Sequence, residues 1–157
     1  MILRKTAGIL GAAAVFLSGC SGPYTPKDAD KDGYVVVGSG PGQQANADKL
    51  EQFYTDFQHQ VSSRVRIVHF TDEGDPVYLD LNSDGQAIQF TVDNSEDQFG
   101  GQNKGKRSTV CKQMIKRTGT RGDTSGTEYD LKDCEDDIGY SDVANKEYFL
   151  YFLGDKK

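Results

Sequence analysis

The spacing of apolar side chains changes several times along the chain, and each change marks an element. Tyr34–Val37 is a β-branched run between glycines and predicts a short strand, followed by a loop over Gly38–Gln44. From Asn46 onward, Leu50, Phe53, Tyr54, Phe57 and Val61 recur at i, i+3, i+4, i+7 and i+11, which predicts an amphipathic helix ending near Ser62. Asn46 stands where a cap belongs, with Lys49 in place of the acid of a capping box. Arg64–Thr71 is apolar on both faces and reads as a central strand.

Two hairpins follow. In Pro76–Asp93, Val77, Leu79 and Leu81 alternate with polar neighbours, as do Ile88, Phe90 and Val92, around a turn at Asn82–Gly85. Pairing Leu79 with Ile88 and Val77 with Phe90 gathers them on one face. A long polar loop, Asn94–Arg107, leads to strands over Ser108–Arg117 and Thr127–Cys134, separated by Thr118–Gly126. Setting Cys111 opposite Cys134 also sets Met114 opposite Leu131, Lys112 opposite Asp133 and Arg117 opposite Glu128, pairs that cross-strand contact favours. Glu135–Asn145 is an acidic loop, and Glu147–Leu153 a final buried strand. The sum predicts an α+β domain over residues 33–157: one amphipathic helix packed on a mostly antiparallel, hairpin-built sheet of about six to seven strands.

The N-terminus follows another logic. Arg4 and Lys5 precede the apolar run Ile9–Leu17, which is too short to span a bilayer and has the form of an export signal over residues 1–19. Leu17-Ser18-Gly19-Cys20 resembles the bacterial lipobox, which implies cleavage before Cys20 and a diacylglycerol thioether on it. Two acyl chains anchor stably, so the expected partner is the lipid bilayer at the extracytoplasmic face of the cell membrane. Residues 20–32, Pro- and charge-rich, read as a flexible tether. Outside the cell, the remaining pair Cys111 and Cys134 is expected to form a disulfide.

Arg4 and Lys5 are the only charges in the first 19 residues, so beyond them 24 acidic side chains face 16 basic ones. That excess argues against nucleic acid and against charge-driven binding to anionic lipid. The many Tyr and Phe argue against a disordered acidic chain.

Candidate chemistry is sparse. Val35–Gly42 begins like a dinucleotide turn but has Gln43 where the third glycine belongs. Asp28–Gly33 and Asp80–Gly85 begin like calcium loops, but Ser39 and Thr91 stand where the bidentate acid is needed. No cofactor or metal is expected. His59 and His69 lack zinc spacing, and His69 reads as a hydrogen-bonded strand residue. No catalytic residue is assigned. In the 94–107 loop, Lys104, Lys106 and Arg107 accompany Gly100, Gly101 and Gly105, a composition suited to an anion-attracting concavity, with Phe99 pinning the loop to the core. The sharper expectation is a recognition loop for an acidic cell-envelope component, and the plainer one an ordered connection.

Asp93-Asn94-Ser95, Asp97, Phe99-Gly100-Gly101, Asn103-Lys104-Gly105-Lys106 and Cys111 together resemble the signature of an uncharacterised family of Gram-positive, Bacillus-like lipoproteins classed as a domain of unknown function. Glu73–Pro76, the following hairpin and Cys134 extend the likeness over Gly33 to Cys134; Gly38–Gln44 and Thr118–Gly126 depart from it. The resemblance implies a secreted, lipid-anchored domain without assigned catalytic residues. The expected function is a non-catalytic binding domain of the envelope, with a hydrolase or a purely structural envelope protein as alternatives.

Overall fold

The structure, a computed structural model, describes residues 22–38 and 44–155, the side chain of Asn103 excepted. The export signal, Cys20 and most of the Gly38–Gln44 loop lie outside the described residues. The elements in order are α1 (Pro26–Lys31), β1 (Val35–Val37), β2 (Gln44–Ala45), α2 (Ala47–Gln58), β3 (Ser63–Phe70), β4 (Pro76–Ser83), β5 (Ile88–Asp93), a 3-10 turn (Gly101–Asn103), β6 (Lys106–Arg121), β7 (Thr124–Cys134) and β8 (Tyr148–Gly154).

All the described strands belong to one sheet of order β2-β1-β3-β4-β5-β6-β7-β8, in which β1 and β3 run parallel and the other neighbours antiparallel. This corrects the α+β expectation. Of the described residues 49% are strand and 16% helix, and the eight described strands curl into a half-barrel. The curl is legible in one contact: His69 on β3 meets the carbonyl of Leu150 on β8 at 2.9 Å, although four strands separate them in the sheet. Burial, opposed by that bond, holds the His69 imidazole below its ordinary range.

The concave face and α2 enclose the main core, with Leu50, Phe53 and Phe57 of the helix set against Ile67, Leu81, Phe90, Leu131 and Tyr151. On the convex face, Ala29 of α1 covers Val36 and Val68. The tether reading therefore fails from Tyr24 onward. Thr25 and Asp28 form a capping box, Pro26 opens α1, and the Tyr24 ring stacks on Phe70.

Two register expectations change. Leu79 pairs with Val92 and Leu81 with Phe90, a slip that keeps every apolar side chain on its expected face. The turn lies later than expected, at Asp84–Ala87, where Asp84 Oδ1 accepts the N–H groups of Gln86 and Ala87. Gly85 is required there: its φ is +94° and a Cβ would lie 2.4 Å from the Gln60 carbonyl oxygen. In the second hairpin, Cys111–Cys134, Met114–Leu131 and Arg117–Glu128 pair as expected. Lys112 does not pair with Asp133, because Asp133 takes φ +54° and breaks the alternation, so that Cys111 and Met114 both face the core. Asp133 instead accepts from Gln113 at 2.6 Å. Thr118–Arg121 and Thr124–Gly126, expected in a loop, extend the two strands to a tight turn at Gly122.

Candidate functional site

Beside β3 the sheet leaves a gap. On β3, β1 pairs only with Ile67–His69, so among the described residues the start of β3 has β4 on one side and no strand on the other. A half-open cleft of about 740 Å³ occupies this gap, between the α1–β1 turn, α2 and the β3–β4 pair. Its walls follow from the local folding. Asn46, expected to cap α2, sits in the left-handed region and makes no cap. Its side-chain amide donates instead to Tyr34 O at 2.9 Å and Asp30 Oδ1 at 3.0 Å, while Lys49 Nζ donates to Gly33 O at 2.5 Å. Two residues of the helix start thus fix the turn that forms one wall.

The cleft is lined by Ser63, Arg64, Val65 and Arg66 in unbroken succession, with Tyr34, Phe53 and Asp56 opposite. Arg66 forks onto Asp80 through Nε at 2.5 Å and Nη2 at 2.8 Å, and its guanidinium lies 5.3 Å from the Tyr34 ring centroid and 5.2 Å from that of Tyr78. The hydrogen bonds to Asp80 raise the Arg66 pKa further, so this charge is permanent. Burial and Glu96 push the Tyr78 hydroxyl up. Ser63 Oγ is buried without a hydrogen-bond partner among the described residues. Arg64 is exposed and makes no ion pair among the described residues. Arg66→Ala is expected to lower stability by about 1 kcal/mol, the modest value that a half-exposed pair with two ring contacts allows; urea midpoints for the two proteins check it.

The expected recognition loop is differently arranged. Phe99 does not pin it to the core but is 74% exposed. The backbone is held by acceptors within and beside the loop: Asn94 Oδ1 takes Gly105 N–H, Asp97 Oδ1 takes Phe99 N–H and the Asp97 carbonyl takes Gly100 N–H. The three cations do not converge. Lys106 pairs with Asp93 at 3.2 Å, Arg107 donates to the Ile138 carbonyl at 2.8 Å, and Lys104 is exposed. Gly101, with φ +60°, opens the 3-10 turn. Ser95 hydrogen bonds, followed by the Lys106 pairing, hold the Asp93 carboxyl below the usual range against its slight burial.

The acids of the calcium-like stretches are engaged by protein groups. Asp28 caps α1, Asp30 accepts from Asn46, Asp32 from Tyr24, and Asp80 holds Arg66. Among the described residues no group of three or more His, Cys, Asp or Glu is placed to hold a metal. Cys111 and Cys134 are joined by a disulfide. Two ionic clusters lie on β6 and β7. On the concave side, Glu51 receives Lys116 Nζ at 2.7 Å and the Tyr129 hydroxyl; burial raises its carboxyl, and these two donors outweigh that. On the convex side, Arg117 lies among Glu128, Asp130 and Glu147.

These elements define a mostly β domain built from one curled sheet, with a cleft at a strand edge that no described strand covers. Residues 31–129, well over half of the chain, match a family model described as Domain of unknown function (DUF4362), and the chain belongs to that family. No curated protein and no solved structure shows a match. The matched span contains every residue that lines the cleft and the whole 94–107 loop, whereas Cys134 and Glu147 fall beyond it. Sequence reasoning missed Ser63, Arg64, Arg66 and Tyr78, and singled out Asp80 only as the first acid of a calcium-like stretch. The available signal was the alternation of Arg64 and Arg66 with Val65 and Ile67, which puts both arginines on one face of β3.

Proposed function

We propose that the chain is a lipid-anchored lipoprotein of the extracytoplasmic face, of the Gram-positive type, whose domain is a non-catalytic binding module of the cell envelope. Anchoring rests on the lipobox-like Leu17–Cys20 after the apolar run. Binding rests on one observation, the four consecutive residues Ser63–Arg66 along the cleft. Alternate residues of a strand point to opposite faces, so a surface that touches four in a row follows the strand's edge. An edge without a neighbour presents unpaired backbone groups, and an extended polypeptide segment satisfies them by adding a strand. Phe53, Val65 and Leu81 supply an apolar floor, and Arg64 a cation for an acidic side chain or terminal carboxylate.

The whole protein in detergent, tested on arrayed extended hexapeptides with and without one acidic residue, is expected to prefer the acidic ones. The double substitution Ser63→Lys/Arg64→Glu fills the edge and reverses its charge, and is expected to weaken retention about tenfold, roughly 1.4 kcal/mol. Equal retention of the two proteins removes the cleft as the site. The anchor is tested separately: Cys20→Ala should release the protein or leave it unprocessed, and unchanged mass and membrane fractionation would refute it.

A further inference from the structure

A lipid on Cys20 constrains how the domain can sit, because little chain separates it from folded structure. Gly22 follows Cys20 by two residues, and two residues span at most about 7 Å. Gly22, Pro23 and Tyr24 line a depression together with Glu96 of the 94–107 loop. The Tyr24 ring lies 6.4 Å from that of Phe70 and 6.3 Å from that of Tyr78, and the Tyr78 hydroxyl reaches Glu96 Oε1 at 3.4 Å. The chain therefore emerges at the end of the sheet that carries this loop. A headgroup layer is about 5–8 Å deep, so an anchored Cys20 leaves that end no room to stand away from the bilayer.

The same loop holds an aromatic ring out into solvent. Gln98 N–H is fixed to Asp75 Oδ2 at 2.8 Å and Phe99 N–H to Asp97 Oδ1 at 2.8 Å, so the loop presents Phe99 ready-made. We infer that Phe99 is a membrane-docking residue: resting on the lipidation of Cys20 proposed above, the loop end of the domain lies on the phospholipid surface with the Phe99 ring inserted at the headgroup–acyl boundary. The covalent anchor and the ring drive this contact, and it needs no anionic lipid, which a domain with an excess of acids would not attract.

The chain contains no Trp, so one substitution supplies a unique fluorophore. Phe99→Trp places it at the proposed contact. Val61→Trp places it at the opposite end, on a side chain 50% exposed just before β3, whose eight residues carry the chain roughly 25 Å to the loop end. Each full-length protein is processed in cells, the diacylglycerol on Cys20 is verified by mass, and the lipoprotein is reconstituted in vesicles of phosphatidylcholine with or without brominated acyl chains. Bromination is expected to cut Phe99→Trp emission roughly twofold, at low and high salt alike, since the ring would sit within the ~5–10 Å interfacial zone, and to leave Val61→Trp unchanged. Equal quenching of the two on verified lipoprotein overturns the docking while the anchor stands. An unmodified Cys20 overturns both, and the mass tells the two failures apart.

Discussion

Replacing both half-cystines, Cys111→Ala with Cys134→Ala, is expected to lower the stability of the domain by about 3 kcal/mol and its Tm by about 10 °C. The bridge spans a sequence separation of 23 and links the first half of β6 to the end of β7, so cutting it frees an unfolded chain that the native sheet must close again. Alanine is chosen because Cys111 is fully buried in the main core beside Ile88, where a serine hydroxyl would add an unpaired polar group. Urea titrations of the double variant, of the wild type and of the wild type under dithiothreitol check the value. Reduced wild type should coincide with the variant to within the small packing loss. A midpoint that moves in neither case would show that β6 and β7 hold their register without the bridge.

That pairing was legible in the sequence because several residue pairs agreed on it: Arg117 with Glu128, Met114 with Leu131 and Cys111 with Cys134 all require the same offset. The β4–β5 register was half legible. Alternation fixes which face a side chain occupies and nothing more, so the faces were right while the partners slipped. The slip came from Asn82 and Ser83, polar residues that imitate a turn but continue β4. The mostly β character was hidden for related reasons. Gln44–Ala45 forms a strand without an apolar run, and the arms through Thr118–Arg121 and Thr124–Gly126 are polar on both faces, so no hydrophobic period marks them. α1 was overlooked because its six residues are charge-rich and bury only Ala29, although Thr25, Pro26 and Asp28 spell a helix start. The cleft needed tertiary knowledge. Arg66 gains its meaning from Asp80, Tyr34 and Tyr78, and no local pattern says that β1 stops short of the first half of β3.

Asp130→Asn is expected to stabilise the domain above pH 6 and to remove part of its pH dependence. Asp130 is 3% exposed on the convex side of β7, beside Glu128 and Lys132 of its own strand, Glu147 ahead of β8 and Arg117 of β6. Arg117 divides itself among three carboxylates: its Nη2 lies 2.6 Å from Glu147 and 3.0 Å from Asp130 Oδ2, yet that oxygen has no hydrogen bond of acceptable direction. Lys132 faces Glu147 at 3.5 Å and Arg121 faces Glu128 at 3.3 Å. Burial, then repulsion from Glu128 and Glu147, outweighs Arg117 and pushes the Asp130 carboxyl up to about 6 from its ordinary 3.8. A folded-state value above the unfolded one means that the carboxyl favours the fold when protonated. Its contribution is full below about pH 4 and is lost as pH rises through about 6, a difference of at most about 3 kcal/mol, reduced by the exposure of Arg117 to water. Asparagine keeps the shape without the charge, so wild type and variant should have similar urea midpoints at pH 4, and the variant should gain about 2 kcal/mol at pH 8. The carboxylates outside this cluster act equally in both proteins, so the difference curve isolates Asp130 together with its repulsion from Glu128 and Glu147. Parallel curves from pH 4 to 8 would mean that Arg117 compensates the charge fully and that the residue titrates as an ordinary paired aspartate.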